Sequence, residues 1–385
     1  MEISPLKTAF VLDLFSLCSH RTGMNAMTDI TADLRRLRGR GARSNASGRY
    51  EKHARVLADD GWAGEDELPP LRTEVKTDTA RTIISRNSSP DISFEQSINP
   101  YRGCEHGCIY CFARPTHAYL GLSPGADFES RLFAKPNAAE LLARELSKPG
   151  YVPKLIAIGT NTDPYQPIEK QMRIMREVLQ VLHDFRHPVG IVTKSALVLR
   201  DLDVLAPMAE LNLVKVALSV TTLKRDLARS MEPRAATPGR RLAAIRGLRE
   251  AGVPVGVMFA PVIPALNDEE LEGVLAAAAE AGAASAGYVL LRLPLEIKEL
   301  FREWLEENEP GRAAHVLSLI RQMRGGKDYD AAWHQRMKGA GPYAQMIARR
   351  FHLAARRYGL DAPSKALDLS KFRRPARSGE QLALL

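Results

Sequence analysis

The stretch Asn99-Pro-Tyr-Arg-Gly-Cys-Glu-His-Gly-Cys-Ile-Tyr-Cys-Phe112 gathers Cys104, Cys108 and Cys111 within eight residues. Thiolates so closely spaced suit soft metals. A [4Fe–4S] cube is held by cysteine thiolates, and three of them leave a fourth iron open to a small molecule, as catalytic zinc sites keep one position free. Zinc is the competing reading, with His106 or His117 completing a Cys3His set. Structural zinc ligands, however, usually come as two separated pairs. A disulfide framework is not expected of four cysteines in 385 residues, the fourth being Cys18. Gly103 and Gly107 free the backbone to wrap closely around a cube.

Outward from this run, short apolar or β-branched segments alternate with longer segments of helical period. Strands are expected at Gln96–Asn99, Leu155–Gly159, Val189–Thr193, Val214–Val220, Pro254–Phe259 and Gly287–Leu291. Amphipathic helices are expected at Ala138–Leu146, Ile174–Phe185, Leu202–Leu211, Arg240–Ala251 and Glu269–Ala281. Such alternation gives βα units and a parallel sheet. The expected fold is therefore α/β, a partial (β/α)6 TIM-type barrel whose chemistry sits at the carboxyl ends of the strands. The barrel is assigned to residues 76–294. An irregular, partly flexible basic N-terminal extension (1–75) precedes it, and a basic helical C-terminal region (295–385) follows.

The cysteine spacing, with the aromatic Tyr110 ahead of the last cysteine, resembles the cluster loop of the radical S-adenosylmethionine (SAM) superfamily. A narrower resemblance is carried by the run from Ile98 through the cysteines to Cys111-Phe-Ala-Arg114, with Thr160-Asn-Thr-Asp-Pro-Tyr-Gln-Pro-Ile-Glu169, Thr193-Lys-Ser195 and Ser219-Val-Thr-Thr222. Together they are similar to the branch related to spore photoproduct lyase, over roughly residues 80 to 360. The resemblance implies a [4Fe–4S] cluster and SAM as cofactors and an electron donor such as flavodoxin or ferredoxin. It also implies one-electron cleavage of SAM to methionine and a 5′-deoxyadenosyl radical that abstracts hydrogen. A primary carbon radical attacks most C–H bonds it meets, so the protein's share is to orient SAM and substrate and exclude competing donors. In the lyase a cysteine outside the cluster donates hydrogen late in the reaction; here the candidate is Cys18.

The same resemblance implies where SAM sits. A Gly-Gly-Glu-like motif after the second strand usually binds its amino group. Here the loop reads Gly159-Thr-Asn-Thr-Asp-Pro164, and the role passes to Thr162 and Asp163, with an Asx turn ahead of Pro164 as the alternative. Lys194, at the third strand end, is costly to bury without an anion, and the SAM carboxylate is its expected partner. Arg234 suits the same carboxylate. Surface salt bridging is the alternative for both. Ser219 and Thr221 are placed on the ribose hydroxyls, Tyr110 beside the cofactor, and the apolar turn Ala260-Pro-Val-Ile-Pro-Ala-Leu-Asn267 under the adenine. No catalytic residue is assigned.

The net charge of +9 concentrates after Pro310, where fifteen Lys and Arg face five Asp and Glu. Arg35–Arg49, rich in Gly and Ser and without a hydrophobic period, reads as a flexible arm of the kind that binds phosphate backbones. A solvated surface is the alternative for both. Phe301-Arg-Glu-Trp304, Trp333-His-Gln-Arg-Met-Lys338 and Tyr343 point to a basic helical lid across the barrel mouth, able to stack on and neutralise a polyanion. Core packing is the alternative for Trp304 and Trp333. The expected function is a radical SAM enzyme with nucleic acid as partner. The alternatives are a protein or small acidic substrate, and a non-catalytic zinc or cluster protein that binds nucleic acid. No apolar run reaches the ~18–20 residues of a membrane span, and Asp13 interrupts the apolar stretch Thr8–Cys18. The expectation is a soluble protein of the reducing cytoplasm.

Overall fold

Buried β-branched runs build the sheet. The computed structural model describes residues 39–51, 71–362 and 365–375. Its strands are β1 (Glu74–Thr77), β2 (Ile84–Arg86), β3 (Gln96–Ile98), β4 (Tyr101–Arg102), β5 (Arg131–Ala134), β6 (Ile156–Ile158), β7 (Val189–Thr193), β8 (Val214–Ser219), β9 (Val255–Val262) and β10 (Ser285–Leu290). Seven of them form one sheet in the order β10-β9-β8-β7-β6-β3-β2. Six strands, β3 and β6 to β10, run parallel, and β2 is antiparallel on β3. The sheet is open, with β10 and β2 at its edges. A smaller sheet, β1-β5-β4, stands apart from it.

Parallel neighbours need a long crossover, and helices supply it. Ala138–Leu146, Ile174–Asp184, Leu202–Glu210, Pro238–Glu250 and Leu271–Glu280 each precede the next strand of the sheet. In Ile174–Asp184 the residues Ile174, Met175, Val178, Leu179 and Leu182 are buried, the stripe that a helical period produces. They meet Ile156, Ile158, Val189 and Ile191 of the sheet in one core. The expected strands and helices all form. β9 runs three residues farther than expected because Leu291 still donates its N–H to the Val262 carbonyl at 3.0 Å.

The C-terminal region is helical, but most of it is not a lid. Ile297–Asn308 buries Ile297, Leu300, Phe301, Trp304 and Leu305. Trp304 stacks on Phe301 and donates Nε1–H to the Ser230 carbonyl at 3.1 Å. These side chains pack with Ile109, Tyr110 and Met231, so the helix buttresses the cysteine loop from behind. Core packing is thus what Trp304 does. Gly341–Arg357 covers β10, with Phe351 4.6 Å from the Tyr288 ring and Arg350 paired to Glu272 at 2.7 Å. Residues 327–340 between these helices do reach the barrel mouth, through Met337. At the other end of the strands, Phe372 packs on Tyr151, Phe185 and His187, sealing the barrel floor. No helix among the described residues is long and apolar enough to cross a membrane.

Candidate functional site

The carboxyl ends of the strands open into a cavity of about 330 Å³, within the range of small-molecule sites. Cys104, Cys108 and Cys111 line it, together with Thr160 to Asp163 after β6, Thr193 and Lys194 at the end of β7, Ser219 at the end of β8, and Met258, Ala260 and Pro261 from β9. All three thiols are free. Burial, and then the nearby Asp163 carboxylate, push the Cys104 thiol well above its ordinary range, and burial does the same to Cys108. Buried thiolates need compensating positive charge, which the iron of a cluster supplies and bulk water here does not. Among the described residues no three His, Cys, Asp or Glu side chains converge as ligands of a single ion. Of the two zinc candidates, His117 is bonded through Nε2 to the Arg131 carbonyl at 2.9 Å and packs on Phe128, and His106 lines the cavity with its Nδ1 3.4 Å from the Asp163 carboxylate. The donor set therefore fits a cube, whose thiolates take separate irons, better than it fits zinc.

The cysteine loop is held by buried polar groups from distant parts of the chain. The Arg114 guanidinium, fully buried, donates to the carbonyls of Cys108 (2.9 Å), Gly107 (3.1 Å), Gly125 (2.9 Å) and Pro124 (3.2 Å) and to Glu129 Oε1 (2.5 Å). Glu129, equally buried, accepts the backbone N–H groups of Gly41 and Ala42, each at 2.8 Å. Arg40 donates to the Glu129 carbonyl at 2.8 Å and to Thr73 Oγ1 at 3.0 Å. The stretch expected as a flexible arm is therefore, from residue 39 to 51, a strap against the cysteine loop; residues 35–38 lie outside the described residues. Composition misled because the strap is fixed by backbone N–H groups and one buried arginine, none of which leaves a hydrophobic period. Gly41 is required: a Cβ there would stand 1.7 Å from the Gly107 carbonyl oxygen. Gly107, with φ +67°, would bring a Cβ to 2.6 Å from the Glu129 carboxylate.

Each expected SAM contact can now be placed. Thr162 and Asp163 both line the cavity. Thr162 donates Oγ1–H to the Tyr101 carbonyl at 3.0 Å. Asp163 Oδ1 accepts from Tyr165 N at 2.9 Å, closing the Asx turn, and from Thr193 Oγ1 at 2.7 Å. Its Oδ2 accepts from Lys194 N at 2.7 Å and lies 3.4 Å from His106 Nδ1. Burial opposes ionisation of Asp163, but His106 and these donors outweigh it and hold its pKa at about 2. Asp163 thus ties the ends of β6 and β7 together. The Lys194 ammonium stands 5.7 Å from the Tyr110 ring centroid, inside the cavity and in no ion pair among the described residues. Ser219 lines the cavity as well.

Thr221 and Arg234 are placed elsewhere. Thr221 donates Oγ1–H to Glu232 at 2.9 Å. That buried carboxylate also takes the Tyr110 hydroxyl and Arg241, so Tyr110 presents its ring to the cavity while its hydroxyl is bound behind it. Neither Thr221 nor Arg234 lines the cavity. Arg234 pairs with Glu105 of the cysteine loop at 2.5 Å, which satisfies its charge outside the cavity. Sequence reasoning missed Arg114, Glu129, Glu232 and Arg241. Arg114 had a local signal, since it closes the Cys111-Phe-Ala-Arg114 run. Its partner Glu129 had none.

The chain matches the Radical SAM superfamily over residues 98–278. Over 233 residues it is 39% identical to an uncharacterised protein of Mycobacterium tuberculosis, covering 60% of this chain and 68% of that one. The chain belongs to the radical SAM superfamily. An uncharacterised protein of Methanocaldococcus jannaschii is 29% identical over 213 residues, 55% of this chain and 76% of that one. Among solved structures, spore photoproduct lyase complexed with dinucleoside spore photoproduct superimposes with a TM-score of 0.53 at 18% identity, covering 74% of this chain and 78% of that one. A mutant of that lyase with bound AdoMet and the dinucleoside gives a TM-score of 0.51 at 16% identity over 74% and 77% of the two chains. This radical SAM enzyme thus shares with the lyase a parallel α/β sheet followed by a helical C-terminal region. If Lys194 holds the SAM carboxylate, Lys194→Met weakens SAM binding by ~1.5–3 kcal/mol with iron content unchanged, whereas Arg234→Gln leaves SAM affinity at the wild-type value. Calorimetry on anaerobically reconstituted protein measures both, and equal affinity in wild type and Lys194→Met contradicts the assignment.

Proposed function

We propose that Cys104, Cys108 and Cys111 hold a [4Fe–4S] cluster and that SAM lies beside it in the strand-end cavity. When bound, that pair of groups supplies one-electron cleavage of the SAM sulfonium to methionine and a 5′-deoxyadenosyl radical, the electron coming from a donor such as flavodoxin or ferredoxin. The chain's own residues position the reactants. Lys194 meets the SAM carboxylate, Ser219 a ribose hydroxyl, and Met258, Ala260 and Pro261 offer an apolar seat to the adenine. Thr162 and Asp163 bound the amino-group end, Asp163 chiefly by fixing the loop that carries it. The open edge between β10 and β2 is the way in for substrate. We assign a nucleic acid as that substrate, with lyase-type repair chemistry by likeness to the photoproduct lyase, and place the enzyme in the cytoplasm, where its thiols stay reduced. The observation that carries the reading is the convergence, on one cavity at the strand ends, of three free thiols and a lysine in no ion pair among the described residues. Anaerobic reconstitution with iron and sulfide, followed by dithionite and SAM, is expected to release 5′-deoxyadenosine. Bound zinc without SAM cleavage contradicts it.

A further inference from the structure

The cavity contains a second cation besides Lys194. Arg292, just past the end of β10, lines the wall shared by Ile92, Phe94, Val289 and Met337. Its guanidinium carbon stands 4.6 Å from the centroid of Phe112, the residue after Cys111. Nη1 donates to Met337 Sδ at 3.7 Å, a weak acceptor. Nε is buried and has no partner. Among the described residues no ion pair satisfies this guanidinium, in contrast to its neighbour Arg336, which is neutralised by Asp91 at 2.5 Å. Behind it the buried Arg324 donates to the carbonyls of Leu291 (2.9 Å) and Gln335 (2.6 Å). Asp163, the one carboxylate among the described residues that lines the cavity, already accepts from Thr193, Lys194 and Tyr165.

A guanidinium held in a partly desolvated wall without an anion is unfavourable until one arrives. The aromatic surface beside it narrows the chemistry. Phe112 is 43% exposed, and Trp333, on the loop that carries Met337, is 52% exposed with Arg336 against its ring at 4.4 Å. Phosphate beside a flat base satisfies such a pairing of cation and exposed ring, since aromatic side chains stack bases and arginines neutralise the backbone. A carboxylate ligand would satisfy Arg292 and leave both rings without a role. We propose that Arg292 and Phe112 form the docking point of the substrate strand: Arg292 holds a phosphodiester oxygen, a base stacks on the exposed side of Phe112, and the adjoining nucleotide enters the cavity. This inference rests on the nucleic-acid reading given under Proposed function.

The test uses the full chain, anaerobically reconstituted and saturated with SAM, titrated with a short fluorescein-labelled single-stranded oligothymidylate over a salt series. Arg292→Gln is expected to weaken binding about tenfold and to lower the salt slope by roughly one. Arg292→Lys recovers part of the loss, and Phe112→Leu weakens binding about tenfold without changing the slope. Iron content and SAM affinity, measured in parallel, stay at the wild-type values in all three. Wild-type affinity and slope in Arg292→Gln overturn the proposal. So does loss of SAM affinity in that variant, which would move Arg292 to the cofactor, and so does displacement of the oligonucleotide by poly-L-glutamate at matched charge, which would mark a carboxylate site. A wild-type protein with full iron and SAM binding but no affinity for the oligonucleotide overturns the docking point and leaves radical SAM chemistry standing. Zinc in place of iron overturns both.

Discussion

Alanine at Cys104, Cys108 or Cys111 is expected to abolish iron retention and SAM cleavage together. A site with three protein thiolates has no spare ligand, and among the described residues no further cysteine stands near the cavity. Each replacement should bring iron to background and 5′-deoxyadenosine below detection, while the far-ultraviolet circular dichroism of the chain persists, because the core of the sheet and its helices does not draw on these side chains. Cys18, outside the described residues, is expected to be dispensable for both properties. Iron analysis and a SAM-cleavage assay on the four single variants decide this. Cleavage retained in any of the first three contradicts the cluster assignment, and loss in Cys18→Ala would make that thiol a ligand or a hydrogen donor.

The second large effect is expected at Glu129, which touches no cofactor. Removing one partner of a buried ion pair leaves the other charge uncompensated, at a cost of ~3–5 kcal/mol. Glu129→Ala strands the Arg114 guanidinium at the back of the cysteine loop and takes the acceptor from Gly41 and Ala42. We expect it to lower the unfolding free energy by that amount and to deplete iron in the purified protein, with Glu129→Gln intermediate because it keeps one acceptor oxygen. Deletion of residues 1–50 removes the same two backbone donors, so it too should lower iron content. Denaturant unfolding together with iron analysis measures this, and full iron content in Glu129→Ala would show that the strap does not support the loop.

What could be read from sequence was local. The cysteine run, the six strands and the five helices each carry their signal within a few neighbouring residues, and all of them formed where β-branched runs and helical stripes said they would. The residues that line the cavity were legible where a strand end determines them, as with Lys194 and Ser219. Placement in the cavity was misread where a distant partner competes. Arg234 looked free in sequence, yet Glu105, far away in the chain, takes its charge. Thr221 follows β8 as expected but turns to Glu232. The strap at residues 39–51 and the floor made by Phe372 depend on contacts across most of the chain, for which no spacing rule exists. Arg292 was passed over for the opposite reason: nothing in its sequence neighbourhood marks an arginine that ends in no ion pair among the described residues.

The most direct test of the central claim is electron paramagnetic resonance of the anaerobically reconstituted, dithionite-reduced chain, recorded with and without SAM. A three-thiolate cube with an open iron should give the signal of a reduced [4Fe–4S] cluster, and SAM bound at that iron should shift its g values. The account predicts that shift, and predicts that it weakens in Lys194→Met at limiting SAM. A reduced-cluster signal indifferent to saturating SAM, or no cluster signal from a protein that instead binds zinc, would contradict it.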